Sequence, residues 1–290
     1  MTLTVLLRSR SALKVLGSVI DTALARGHDV GLEVEANAKE PWQPGDLDRW
    51  RTLRRYRAGV AIGLATYLDA DVGVPFWWDN LLLPSIPGQV TGYLSAWHRD
   101  MHARNFPMDR RVIQQQPIIG WTMADHRALL PPGLPGPPTA LLFTMKRLDP
   151  ARRRLVARLR YFHAVRDAAT YARLKDLAFT IKTRPKHRDP WWLGHFGRVV
   201  GETCMYPSTS LQLLQHTWEA TTFTSGAVLE ARLFPWIKLV DHRVPLGRLA
   251  TLPGVAASYD HMRHDPLDRI ITYTDCRAGE RVVDLAEGVQ

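Results

Sequence analysis

Short apolar runs along the chain alternate with longer stretches in which an apolar residue returns every three or four positions. Residues 3–7 (LTVLL) predict a strand, and residues 11–26 predict a helix, with Leu13, Leu16, Val19, Ile20 and Ala23 on one face. Gly27 marks the helix stop, and residues 30–34 return as a strand, so the chain opens with a βαβ pattern. The same rhythm reappears after residue 139. Strands are predicted at 139–145, 177–183, 221–224 and 236–240, and helices at 150–174, from 206–210 onward, and at 227–233. Such alternation implies an α/β class with parallel sheets.

Between the two patterned stretches lies HRALLPPGLPGPP (126–138), whose five prolines and two glycines read as a stiff interdomain linker. The expected organisation is an amino-terminal lobe over 1–130, a second lobe over 139–255, and a helix or tail over 256–290 that crosses back. Other expectations are less regular. Asp46 is placed as the cap of an arginine-rich helix reaching residue 57, and the segment before Asp71 reads as a helix from Ile62, Ala65, Leu68 and Val72. Residues 256–263 read as a helix and 270–273 as a short strand, while 281–290 shows no usable pattern.

Composition changes this picture in one respect. The 290 residues are 46% hydrophobic and 23% charged, an ordinary globular balance that argues against disorder. The net charge of +10 favours anionic partners: nucleotide sugars, anionic lipid surfaces or nucleic acid. Two cysteines, Cys204 and Cys276, suggest neither a disulfide framework nor a metal cage and suit a reducing cytoplasm. Arg8 and Arg10 interrupt the first apolar run, which is therefore read as a strand and not as a leader or a membrane span. A peripheral contact with a membrane remains open on charge alone.

Candidate chemistry concentrates late in the chain. Thr224, Ser225 and Gly226 fall where a helix begins, with free backbone N–H groups and the positive end of the helix dipole available to a phosphate. Glu230 lies one turn further on the same face, where its carboxylate can accept from two ribose hydroxyls. Lys146 and Arg147 follow one predicted strand, and Lys182, Arg184, Lys186 and His187 follow another. In open α/β sheets ligands bind beyond the carboxyl ends of the strands, where such cations can clamp a diphosphate. Ser208 and Ser210 either cap a helix or approach the nucleotide. Asp69 and Asp71 form a D-x-D that would suit Mn²⁺ or Mg²⁺ if it followed a strand. His98 and His102 are spaced for one helix face but lack a third ligand. Trp42, Trp50, Trp77, Trp78, Trp97 and Trp121 read first as packing, with Trp77-Trp78 the best stacking wall for a sugar or base.

The stretch TFTSGAVLEARLFPWIKLVD (222–241) resembles the nucleotide-binding segment of GT-B glycosyltransferases and of the related UDP-N-acetylglucosamine 2-epimerases. ARGHDV (25–30) is similar to the RGHxV phrase that opens many GT-B enzymes, and LFTMKR (142–147) resembles the start of their second lobe. The resemblance implies two Rossmann-like lobes facing a cleft, with the donor nucleotide held by the second. It implies that the Ser225-Gly226 turn meets the diphosphate and that Glu230 holds the ribose. Lys146 stands where the epimerase has a catalytic His, a departure that favours transfer over epimerisation. The expected activity is thus metal-independent transfer of a sugar from a nucleoside diphosphate sugar to a hydroxyl of a glycan, lipid-linked or nucleic-acid acceptor. No resident cofactor is assigned, and Mn²⁺ or Mg²⁺ enters only through Asp69 and Asp71. His28, Asp79 and Asp125 are the candidate general bases. Alternatives are a sugar-nucleotide epimerase, a glycerophosphate-type transferase, and a glycosyltransferase or binding protein acting on DNA.

Overall fold

In the computed structural model the described residues are 2–7, 10–34, 42–50, 53, 60–65, 81–85, 95–105, 107, 110–115, 117–131, 137–144, 154–183, 190–222, 225–240 and 263–288. The chain divides into two compact units. The first comprises Met1–Leu129, Cys204–Pro207 and Pro266–Gln290, and the second Leu130–Thr203 and Ser208–Asp265. Each unit contains its own largely parallel sheet, so the α/β, Rossmann-like character expected from the alternation is present in both.

In the first unit β1 (Thr2–Leu7) pairs in parallel with β2 (Asp29–Val34) and β3 (Val60–Ala65), and β4 (Leu81–Ser85) joins β3 antiparallel, giving the order β2-β1-β3-β4. A 3-10 turn, Arg10–Ala12, leads into α1 (Leu13–Ala25), which buries Leu13, Leu16, Val19, Ile20 and Ala23, the apolar face read from the spacing. Gly27, at φ 75°, closes that helix, with His28 N donating to Ala23 O at 3.0 Å. The core of this unit gathers Leu3, Val5, Leu7 and the α1 face against Trp50, Ile119, Tyr206, Val282 and Val283. The unit also contains α2 (Ala96–Asn105), α3 (Arg110–Gln114), α4 (Thr122–Leu129) and a C-terminal helix, Ala278–Glu287.

In the second unit five strands are all parallel: β5 (Thr139–Phe143), β6 (Ala178–Lys182), β7 (Arg198–Val200), β8 (Thr217–Thr221) and β9 (Lys238–Leu239), in the order β7-β6-β5-β8-β9. Helix α5 (Arg154–Leu174) joins β5 to β6, α6 (Thr209–Leu214) precedes β8, and α7 (Ser225–Arg232) joins β8 to β9. Leu142, Ile181, Tyr161, Ala164, Val165 and Ala168 pack one face of this sheet against α5.

Several expectations are corrected here. Residues 60–65 are a strand and not a helix, because a continuous apolar run fits either period and pairing with β1 and β4 decides it. Asp46 caps no helix among the described residues, and residues 51, 52 and 54–57 of the expected helix lie outside them. The Asp46 carboxylate accepts from Gln43 N at 2.7 Å and pairs with buried Arg10 at 2.6 Å, and the only helical turn described nearby is 3-10, Asp48–Trp50. The strand expected at 221–224 ends at Thr221, and α7 already begins at Ser225. Residues 267–270 form a short helix, so the strand expected at 270–273 is absent there, and the unpatterned tail contains the C-terminal helix.

Candidate functional site

Counted from its first strand, the second sheet has the order 3-2-1-4-5 of a doubly wound fold. The chain moves outward from β5 through β6 to β7, then returns to the other side of β5 as β8. In sheets of this order right-handed crossovers place the helices that follow the two central strands on opposite faces, and the rule locates a ligand crevice between the carboxyl ends of β5 and β8. Beyond β5 stands Thr144, whose backbone N donates to Lys182 O at 3.0 Å. Its buried hydroxyl has no hydrogen-bond partner among the described residues. Beyond β8 stands Thr222, also buried, and three residues later α7 begins.

Around this crevice the structure brings together the carboxyl end of β5, the carboxyl end of β8 and the Ser225-Gly226 start of α7. Glu230 lies in the second turn of α7, on a helix that buries Ala227, Val228, Leu229 and Ala231 against its unit. Lys146, Arg147, Arg184, His187 and Thr224 lie outside the described residues, as do Asp79, Asp69, Asp71 and Trp77-Trp78.

Lys182 is corrected as a direct diphosphate clamp. Its Nζ forms an ion pair with Glu202 at 2.9 Å, both side chains being at most 3% exposed, and donates to Thr183 O at 2.7 Å. The other Glu202 oxygen accepts from Thr209 N at 3.0 Å at the start of α6. This charge is therefore neutralised inside the unit, where it ties the ends of β6 and β7 to α6. Ser208 is the cap of α6, accepting from Leu211 N, and Ser210 is buried within that helix. Ser208 thus has the capping role left open by the sequence, whereas Ser210 does not cap.

Two of the three candidate bases have structural partners in the first unit. Asp125 on α4 accepts from Ala278 N at 3.0 Å and Gly279 N at 2.7 Å, capping the C-terminal helix from a distant part of the chain. Burial pushes its carboxyl above the usual range, and the two N–H groups act in the opposite direction. His28 Nε2 lies 2.7 Å from Glu287 Oε1, beside Arg26, which pairs with Asp284 and Glu287. These contacts clamp the far end of the same C-terminal helix. His98 and His102 do share α2, and no group of three or more metal-ligating side chains occurs among the described residues.

One polar cluster was missed in the sequence. Tyr206 inserts into the first unit beneath Gly17, stacks on Trp50 at 5.5 Å, meets His126 edge-on at 4.8 Å and donates to Asp21 at 3.2 Å. Asp21 also accepts from Arg49 and, at 2.9 Å, from Trp50 Nε1. Burial, reinforced by the Asp21 carboxylate, pushes the Tyr206 phenol up, which suits an anchoring hydroxyl and not a proton donor. An open hollow of about 240 Å³ adjoins this cluster, lined in part by Ser18, Asp21, Asp125 and Cys276. Burial raises the Cys276 thiol above its ordinary value, which disfavours the reactive thiolate. No local spacing signals this assembly, since Asp21 and Tyr206 are joined only by the fold.

No protein-family model matches the sequence, and no curated protein matches it. Among solved structures, the chain is similar to a UDP-GlcNAc 2-epimerase from Methanocaldococcus jannaschii, with 11% identity, 99% of this chain and 100% of that one covered, and a TM-score of 0.49. It is also similar to a UDP-N-acetylglucosamine 2-epimerase from Rickettsia bellii, with 9% identity, 99% and 96% covered, and a TM-score of 0.45. A third similarity is to Arabidopsis thaliana UGT89C1 complexed with UDP-L-rhamnose, with 11% identity, 99% and 94% covered, and a TM-score of 0.38.

Proposed function

We propose that the second unit binds a nucleoside diphosphate sugar in the crevice beyond β5 and β8, and that the protein transfers the sugar to a hydroxyl acceptor. One observation carries this reading. The switch point of the 3-2-1-4-5 sheet coincides with the hydroxyl-and-glycine turn that opens α7. The diphosphate lies on the first turn of α7 at Ser225-Gly226, with Thr224, Lys146, Arg147, Arg184 and His187 supplying hydroxyl and cationic contacts, and Glu230 accepts from the ribose. In transfer, the acceptor oxygen bonds to the anomeric carbon and gives its proton to a general base as the bond to the diphosphate oxygen breaks. The leaving diphosphate takes the electron pair, and the nearby cations and helix dipole stabilise its charge. Asp125 and His28 hold the C-terminal helix, so Asp79 is the base to test first.

The test is a thermal-shift titration with UDP, CDP, GDP, ADP and dTDP, with and without Mn²⁺, on wild type and Glu230→Ala. A nucleotide at one hundred times its dissociation constant should stabilise the folded state by about 2.7 kcal/mol. Stabilisation by one nucleotide without metal, reduced at least tenfold in affinity by Glu230→Ala, supports the site and names the base. A requirement for Mn²⁺ would move attention to Asp69 and Asp71, and silence from all five nucleotides would refute the reading. Product analysis with the matching sugar nucleotide then separates transfer from epimerisation.

A further inference from the structure

The second sheet also has an amino-terminal edge, opposite the crevice. Register fixes what lies along it: Ala178 of β6 is beside Thr139 of β5, Thr139 is beside Thr217 of β8, and Glu219 of β8 is beside Lys238 of β9. With neighbouring strands about 4.8 Å apart, these four strand starts fall within about 15 Å. Helix α5 runs down to the same edge, ending at Leu174 and turning back through Lys175 and Asp176, whose φ is 53°.

Three large apolar residues near this edge are exposed: Leu174 at 81%, Trp218 at 59% and Trp236 at 54%. Single exposed apolar residues are common, whereas three at the same end of one unit offer apolar surface to a partner. Thr139 opposes Thr217 while Ala140 opposes Glu219, so the register shifts at this point and Trp218 has no opposite residue on β5. Trp236 rests edge-on against buried Phe234 at 5.3 Å, anchored on one side and open on the other. Arg173, Lys175 and Lys238 are exposed beside these residues, with Asp176 as the exposed acid. Glu219 is half-buried and accepts from Tyr171.

We propose that this edge docks the protein on an anionic lipid bilayer, with Leu174, Trp218 and Trp236 entering the boundary between headgroups and acyl chains. Indoles suit that boundary because their rings are apolar and their N–H groups stay wet. Arg173, Lys175 and Lys238 meet the lipid phosphates, and the net charge of +10 draws the whole chain to the same surface. Nucleic acid fits less well. The aliphatic Leu174 offers no stacking face, and three cations offset by one acid make a sparse phosphate track.

This inference does not depend on the nucleotide crevice, and its test is separate. The full chain is sedimented with vesicles of phosphatidylcholine alone or mixed with phosphatidylglycerol. The wild type should bind the mixed vesicles, and the triple change Leu174→Ser, Trp218→Ser, Trp236→Ser should lower partitioning at least tenfold. The pair Lys175→Glu, Lys238→Glu alters only exposed positions, so it tests the edge even if the triple variant fails to fold. It should erase the preference for phosphatidylglycerol. Nucleotide thermal shifts should be unchanged in folded variants. The proposal is overturned if the wild type ignores anionic vesicles, or if neither set of changes affects binding. It is equally overturned if the changes abolish only self-association or only binding to single-stranded DNA, which would assign the edge to a second copy or to nucleic acid.

Discussion

Replacing Asp125 by Ala separates two readings of one carboxylate. As a general base, Asp125 would be needed for turnover while its loss left the fold intact. As the cap of the C-terminal helix, it satisfies two buried N–H groups, Ala278 N at 3.0 Å and Gly279 N at 2.7 Å. Each buried donor left unpaired costs about 1–3 kcal/mol, so two give roughly 2–6 kcal/mol gross. Relief from keeping a carboxylate out of water offsets part of this, as its raised pKa indicates. A net loss of about 2–4 kcal/mol is expected, with melting of the first unit lowered by about 2–4 °C for each of those kcal/mol. Urea denaturation followed by tryptophan fluorescence measures it, with Asp125→Asn as the variant that retains an acceptor but not the charge. The pH dependence has a definite sign. The folded unit holds the Asp125 proton more tightly than the unfolded chain does, so this group is least costly below its unfolded pKa of about 4. Its contribution becomes less favourable as pH rises through the higher folded value. Wild type minus Asp125→Asn should show that decline. A loss under about 0.5 kcal/mol for Asp125→Ala, no larger than a typical surface change, would refute the capping argument.

Two further perturbations probe the interiors of the units. Gly17→Ala places a Cβ about 2.5 Å from the Tyr206 ring. Overpacking costs about 1–3 kcal/mol and should outweigh the gain of up to ~1 kcal/mol from removing a helical glycine, so thermal melting should move down. An unchanged or higher melting temperature would mean that Tyr206 is not seated against α1. Lys182→Met removes the ammonium from a carboxylate that is 2% exposed and should cost about 3–5 kcal/mol in urea denaturation. Adding Glu202→Gln should recover most of that loss, and a single variant as mild as a change in the exposed Arg166–Asp167 pair would refute a tight pair.

Much of the frame was legible locally. The spacing of Leu13, Leu16, Val19, Ile20 and Ala23 located α1 and its buried face, Gly27 its end, and the hydroxyl-and-glycine turn the start of α7. These features depend on neighbours within a few positions, through helical period and backbone sterics. Where a local pattern was ambiguous it misled. Residues 60–65 satisfy both periods, and Asp46 looks like a cap until Arg10 claims its carboxylate. The C-terminal helix was overlooked although Ala278, Val282, Val283 and Ala286 recur at helical spacing, and only the fold shows that Asp125 satisfies its first N–H groups while Arg26 and His28 pair with its last acids.

Candidate chemistry divides in the same way. The sequence by itself determined which side chains are available: the Ser225-Gly226 turn, Glu230, the basic clusters, and an excess of positive charge. Tertiary structure decided what several of those groups do. It buried Lys182 against Glu202, set Asp125 to capping and His28 to clamping, and chose the β5/β8 switch point from strand order. It also left Trp218 exposed on β8, at a register shift that exists only in the pairing of two strands. The reason is physical. Helical period and turn sterics act over a few residues, whereas the pairing of a buried charge, the order of strands and the capping of a helix from afar depend on positions brought together by folding alone.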